Sequence, residues 1–263
     1  MINKAKIDQT LRPDEVDELL KSSFRTTVLF ELMAEVDGFL TIGDISARMD
    51  IPQSSASALV KSLLDTGYLQ KDPTEKTYQL SARLAFLGAS SMRSFPDLPD
   101  LIRDIRTLKN TIGETIIIAM RSGIHSLYVY VDRISGQKID EHVVLGSMRP
   151  LLCSATGRAM LLTNDETELG KLVRATCAEV DDPYWVETAR QAPEAIEQAR
   201  QVGIAFSPGP SGSGTAGFAF PLRVKGILGP ASVGVAANEK DLLEKKDLII
   251  SSFQSLKNKF NIP

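Results

Sequence analysis

The sequence predicts an α+β protein: an N-terminal winged helix-turn-helix, then a domain of mostly antiparallel strands with helices gathered around them. Three observations predict it. Residues 41–80 read as helix, tight turn, helix and two-stranded wing. Phe95-Pro96-Asp97-Leu98-Pro99 then breaks the chain. Beyond the break, β-rich runs separated by glycine turns are interspersed with amphipathic helices. The expected organisation is a winged domain over residues 1–80, a linker helix over 81–96 and a second domain over 97–263.

Composition narrows the function classes. At 263 residues the chain can hold two cores, and 43% hydrophobic with 24% charged residues is ordinary for a soluble protein. A net charge of −3 argues against a general affinity for polyanions or membranes, so any DNA contact must be local. Residues 1–95 hold 11 Lys+Arg against 13 Asp+Glu, without the basic excess common in DNA readers. No apolar run approaches the roughly 18 residues of a membrane span. The opening Met-Ile-Asn-Lys-Ala-Lys leads into no apolar signal core, and a cytoplasmic protein with no membrane partner is expected. Cys153 and Cys177 are the only cysteines and suggest no disulfide framework.

The winged region is justified element by element. A helix from about Ser22 buries Val28, Leu29, Leu32 and Met33 and ends near Asp37-Gly38. Thr41-Ile42-Gly43-Asp44 reads as a capping box opening a short helix through Ile45 and Met49. Asp50-Ile51-Pro52 breaks that helix, because proline disfavours helical backbone in the residue before it. In the next helix Ala56, Leu59, Val60, Leu63 and Leu64 form an apolar stripe, and Gly67 closes it. Its other face carries Gln53, Ser54, Ser55, Ser57, Lys61 and Ser62, short polar groups suited to lying against DNA. Strands at 68–71 and 77–80 flank a turn and form the wing, with Lys71 and Lys76 able to reach phosphates. Helix-turn-helix geometry also occurs in proteins that touch no DNA; the order of elements is the more specific signal. Ser81 can cap a further helix whose Leu84, Leu87, Gly88 and Ser91 face suits pairing with itself across a two-fold axis.

In the second half, Leu98, Leu101, Ile102, Ile105 and Leu108 mark an amphipathic helix. Residues 115–120 and 126–131 form a hairpin about Ser122-Gly123, and Val143-Val144-Leu145 is a short strand. Helices are expected at 154–162, 166–174 and 187–201, the last ended by Gly203. Ile204-Ala205-Phe206 is a strand, residues 207–214 a loop, and 218–224 and 231–237 paired strands. A final helix covers 240–260.

Several motifs carry chemistry on paper. Gly212-Ser213-Gly214-Thr215-Ala216-Gly217 matches G-x-G-x-x-G, but a strand rather than a helix follows, and no acid stands near 237 for a ribose. No cofactor is expected. His125 and His142 lack the spacing of a zinc set. Cys153 at a helix start, with His142 as base, is a nucleophile arrangement; a small buried cysteine is the plainer reading. Ser154-Ala155-Thr156-Gly157 opens a helix, where unpaired backbone N–H groups favour an anion. Ser154 or Thr156 can equally be a simple N-cap, and a capped end can still hold a carboxylate.

From about residue 22 to 260 the chain resembles the IclR-family transcriptional regulators. Arg25-Thr-Thr-Val-Leu-Phe-Glu-Leu-Met resembles the family's opening helix, and Ile51-Pro-Gln-Ser-Ser-Ala-Ser-Ala-Leu-Val-Lys-Ser-Leu its recognition helix. Gly146-Ser-Met-Arg-Pro-Leu-Leu-Cys-Ser-Ala-Thr-Gly-Arg-Ala-Met-Leu resembles the signature leading into the effector-domain helix. The resemblance implies a dimer or tetramer binding double-stranded operator DNA, and a GAF/profilin-like second domain that binds a small, often carboxylate-bearing effector. It places DNA contacts on Arg25 and the recognition helix, where the family's usual arginine is Ala58. It places effector contacts at Ser154, Ala155, Thr156, Gly157, Ser207, Gly217, Gly234 and Ala236. Ser207 stands where the family often has an acid, Leu152 where it has a histidine, and small residues replace polar ones at 217, 234 and 236. Those replacements imply a roomier, less polar pocket and a larger or aromatic acid. The reading from another class is an enzyme acting on a small acid through Cys153 or a serine.

Overall fold

The computed structural model describes residues 18–36, 38–134, 143–209 and 214–260; His142 and Gly212 lie outside them. The chain separates into two compact units, residues 1–93 and 94–263. Among the described residues no helix is long and apolar enough to cross a membrane.

The first unit holds α1 (Glu18–Glu35), β1 (Leu40–Thr41), α2 (Ile42–Met49), α3 (Gln53–Asp65), β2 (Leu69–Lys71), β3 (Thr77–Leu80) and α4 (Ala82–Ser91). The capping box is complete: Asp44 N–H donates to Thr41 Oγ1 at 3.1 Å and Thr41 N–H to Asp44 Oδ2 at 2.9 Å. The Thr41 hydroxyl, which donates to Asp44 Oδ2 at 2.7 Å, and then the Thr41 N–H hold the Asp44 carboxyl below the ordinary carboxylate range. Asp50 ends α2 in the left-handed region, at φ 50°, a conformation that asparagine and aspartate tolerate better than most residues. Gly67, at φ +74°, closes α3 in a Schellman arrangement. Its N–H reaches Leu64 O at 2.9 Å and the Tyr68 N–H reaches Leu63 O at 2.8 Å. Leu29, Leu32, Ile45, Met49, Ala56, Val60 and Leu69 join one small core. The strands order β1-β3-β2, all antiparallel.

The second unit is a six-stranded antiparallel sheet in the order β6-β5-β4-β9-β8-β7. Its strands are β4 (Thr115–Ser122), β5 (His125–Asp132), β6 (Met148–Pro150), β7 (Ala205–Pro208), β8 (Thr215–Leu222) and β9 (Ala231–Asn238). Alternation sends their side chains to two cores. Ile116, Ile118, Phe218, Phe220, Val233 and Val235 pack with α5 (Leu98–Ile112), α9 (Glu239–Glu244) and α10 (Lys246–Phe260). Phe220 stacks on Phe253 with ring centroids 4.1 Å apart. Ile117, Ala119 and Ala236 face the other way, towards α6 (Ala155–Met160), α7 (Glu166–Glu179) and α8 (Pro183–Val202).

β1 adds a third strand to the expected two-stranded wing, and in the second unit three further elements differ from the sequence expectation. The short strand lies at Met148–Pro150, not at 143–145, because Gly146 turns the backbone at φ +73° and the Gly146 N–H bonds Tyr128 O at 2.8 Å. Helix α8 starts about one turn before the expected Glu187, with Asp182 accepting from the Tyr184 N–H at 2.8 Å and Pro183 in its first turn. The final helix is divided at Lys245, whose ammonium pairs with Glu114.

Candidate functional site

Two surfaces gather the candidate residues, one in each unit. On α3, Ala56, Val60 and Leu63 are buried, which turns the rest of the helix outward. Gln53, Ser54, Ser57, Ala58, Lys61 and Ser62 are exposed, Ser55 and Arg25 half-buried. Pro52 precedes α3 and caps it with no side-chain acceptor, and the first turn carries no acid. Its first N–H groups therefore stay available to an anion, which supplies local positive potential on an acidic chain. The wing turn is fixed by Asp72, which accepts from the Thr74 N–H at 2.7 Å and the Glu75 N–H at 3.0 Å. The Thr74 hydroxyl, donating to the same carboxylate at 2.6 Å, and then those N–H groups hold the Asp72 carboxyl below its ordinary range. Lys71 and Lys76 flank this turn and are exposed. Arg83 of α4 stacks over Tyr68 at 4.7 Å and donates to Thr66 O at the end of α3.

The pocket of the second unit lies where α6 meets the sheet. Ser154, in extended backbone, caps α6 by accepting from the Gly157 N–H at 3.1 Å. Thr156 Oγ1 lies 2.9 Å from Ser126 Oγ on β5, and Ser207 Oγ donates to Cys153 O at 3.1 Å. Ser154, Ala155, Thr156, Ser207, Gly217, Gly234 and Ala236 all line one cavity of about 70 Å³. Gly157 does not: a Cβ there would stand 2.1 Å from Leu151 O, so the glycine serves the close approach of two backbones.

The small residues have a different use from the one expected. A Cβ on Gly234 would stand 2.9 Å from Thr156 Cγ2, and one on Gly217 would stand 3.3 Å from Ala155 Cβ. They let α6 sit directly on β8 and β9 rather than leave room for a bulky ligand. The cavity is compact.

Its remaining wall includes Cys153 and residues outside the site expected from the sequence. Tyr128, Arg149 and Trp185 line it, and the Arg149 guanidinium lies 5.9 Å from the Trp185 ring. Tyr184 packs edge-on against Trp185 at 5.0 Å and donates to Gly209 O at 2.5 Å, tying α8 to the end of β7. Behind the pocket, Arg158 is 5% exposed. It donates from Nε to Leu152 O and from Nη1 to Phe206 O, both at 2.8 Å, and so joins the turn before α6 to β7.

Burial pushes the Cys153 thiol up to about 12, which removes the thiolate a nucleophile needs. His125 is buried with its Nε2 3.4 Å from Glu179 Oε1, and burial lowers its pKa against the opposing pull of that carboxylate. Gly217 of the G-x-G-x-x-G stretch lies inside β8, so no helix opens there to receive a pyrophosphate.

Comparison with known proteins follows the same division. Residues 25–76 match the model of the MarR family, and residues 102–257 match that of the bacterial transcriptional regulator IclR C-terminal region. The chain belongs to the IclR family of transcriptional regulators. It is 24% identical over 184 residues to the HTH-type transcriptional repressor AllR of Escherichia coli, covering 68% of this chain and 66% of AllR. It shares the fold of the Thermotoga maritima IclR structure, with a TM-score of 0.61, 17% identity and coverage of 92% of this chain and 99% of that one. An IclR homologue from Microbacterium hydrocarbonoxydans, complexed with 4-hydroxybenzoate, aligns with a TM-score of 0.55 at 17% identity over 90% of this chain and 100% of that one. This IclR-family chain is thus a transcriptional regulator with a winged helix-turn-helix of the DNA-binding type.

Proposed function

We propose that this regulator is ligand-responsive and acts in the cytoplasm, controlling genes of small-molecule metabolism. Residues 1–80 read double-stranded operator DNA through α3 and the wing. Residues 97–263 bind a compact organic acid in the pocket at α6, and residues 81–96 link the two. The pocket carries this reading. A carboxylate there would meet the Ser154 and Thr156 hydroxyls, the opening N–H groups of α6 and the Arg149 guanidinium, while an apolar body would lie against Tyr128 and Trp185. The homologue complexed with 4-hydroxybenzoate is support for an aromatic acid of modest size. Helix α4 supports pairing with a second copy as a dimer or tetramer: it buries no residue, and Phe86 and Leu87 are 73% and 57% exposed.

Calorimetry with small aliphatic and aromatic acids, each against its amide, tests the reading. Acids should bind and change operator affinity measured by fluorescence anisotropy, with Arg149→Gln weakening the acids and leaving free-protein DNA affinity unchanged. Equal binding of the amides would remove the carboxylate from the reading. Consumption of an acid during the titration would replace it with an enzyme.

A further inference from the structure

A second cavity lies at the other end of α6. Met120 pairs with Ala231 and Ala231 with Leu222, and this row faces the α5 side of the sheet. Side chains alternate along a strand, so the next row, Arg121, Pro230 and Arg223, faces the α6 side. The Arg121 N–H holds the row together by donating to Pro230 O at 3.0 Å. Two strand spacings put the arginine backbones about 9.5 Å apart. Both side chains line a groove of about 900 Å³ whose wall includes Ala159 and Met160 of α6.

The other charges of the groove are committed. Arg200 donates from Nε to Leu162 O at 2.8 Å and pairs with Glu197. Glu168 accepts from Asn164 Nδ2 at 2.6 Å. Arg121 donates from Nε to Gly123 O at 3.0 Å, and neither it nor Arg223 has a carboxylate partner among the described residues. We infer that this groove is a second ligand site, built for a small organic dianion that carries two carboxylates or phosphates on an apolar body. Two guanidiniums in one row answer two anionic groups, and Met160 and Pro221 offer the apolar floor between them. All six residues of α6 are buried, so an occupant of the groove and an occupant of the pocket press on opposite ends of one short rigid element.

The probe is adipate, titrated into the 263-residue protein beside hexanoate and inorganic pyrophosphate. Adipate should bind at least tenfold tighter than hexanoate, and Arg121→Gln or Arg223→Gln should each weaken it about tenfold, the value of one charge-assisted hydrogen bond. Both side chains are exposed, so the variants should keep the parent's urea midpoint. The methyl resonance of Met160 should move with adipate in the parent and stay still in the double variant. Pyrophosphate binding with the same arginine dependence would support the site and move its ligand towards phosphates. Failure of both dianions to bind at millimolar concentration would overturn the inference. Adipate binding that ignores both arginines, or that leaves Met160 unmoved, would do so too. Arg149→Gln tests the pocket separately, so failure of one site is distinguishable from failure of the other.

Discussion

The Cγ2 methyl of Thr156 occupies the space above Gly234, where a Cβ would stand 2.9 Å away. Gly234→Ala should therefore destabilise the second domain by about 1–3 kcal/mol, the usual range for overpacking. Thr156→Ser removes that methyl and keeps the hydroxyl facing Ser126, so Gly234→Ala should cost much less in the serine background. Urea denaturation of the four proteins in this cycle decides it. Equal costs in both backgrounds would show that the methyl is not the obstacle. Gly157→Ala should cost more than Gly234→Ala, because its new carbon meets the Leu151 carbonyl, and backbone cannot rotate away.

Arg158 ties the turn before α6 to β7 through two carbonyls. Arg158→Met would leave both acceptors without that donor, a loss of about 2–6 kcal/mol at about 1–3 per unsatisfied group, offset in part because the cation itself resists burial. Arg158→Lys should rescue little, since one ammonium lacks the fork that spans both oxygens. A lysine variant as stable as the parent would show that charge alone, and not geometry, holds this turn.

His125 gives the stability a pH dependence with a defined sign. Burial lowers its folded pKa below the ordinary 6.5, and the Glu179 carboxylate opposes this without cancelling it. Between the folded value and 6.5 the unfolded chain binds the proton and the folded one does not, so stability falls as pH drops through that window. Above it the contribution is complete. Unfolding midpoints from pH 8 to 5 should fall for the parent, and His125→Gln should flatten the part of the slope below 6.5. A variant with the parent's slope would assign the effect to other groups.

What was legible in the chain followed from how local each signal is. The Thr41–Asp44 capping box, the α3 stripe and Gly67 each depend on neighbours within a turn or two, and each stands where the sequence reading put it. The seven pocket residues on α6, β7, β8 and β9 were also legible, through a family resemblance. Trp185 lies ahead of the expected Glu187 start, and the local signal that reaches it is the Asp182-Pro183 opening, an aspartate N-cap before proline. Arg149 escapes an expectation built on apolar runs, which favours a strand at Val143 and Val144; both are buried, but Gly146 carries the backbone through a turn first. The purpose of Gly217 and Gly234 was not legible at all, since what each glycine meets is fixed by helix–sheet packing across more than sixty residues.

Lys61 and Lys76 should separate the two parts of operator binding. Lys61 lies on the exposed face of α3 beside Ala58 and Ser62, and Lys76 on the wing turn that Asp72 holds in place. A lysine that touches a phosphate releases about one counterion, so removing it lowers the salt slope of log K by about 1 and weakens all sequences alike. Lys76→Ala should behave in this way on operator and on unrelated duplex. Lys61→Ala should do the same and also narrow the gap between the two DNAs, because it lies on the face of α3 that we propose reads the operator. With Ala58 and several serines on that face, direct readout rests on short side chains, and each base pair lost should cost about 1–3 kcal/mol. Fluorescence anisotropy over a salt series, with both duplexes and both variants, measures all of these at once. If Lys61→Ala kept the parent's slope and the parent's preference for operator, α3 would not be the reading helix.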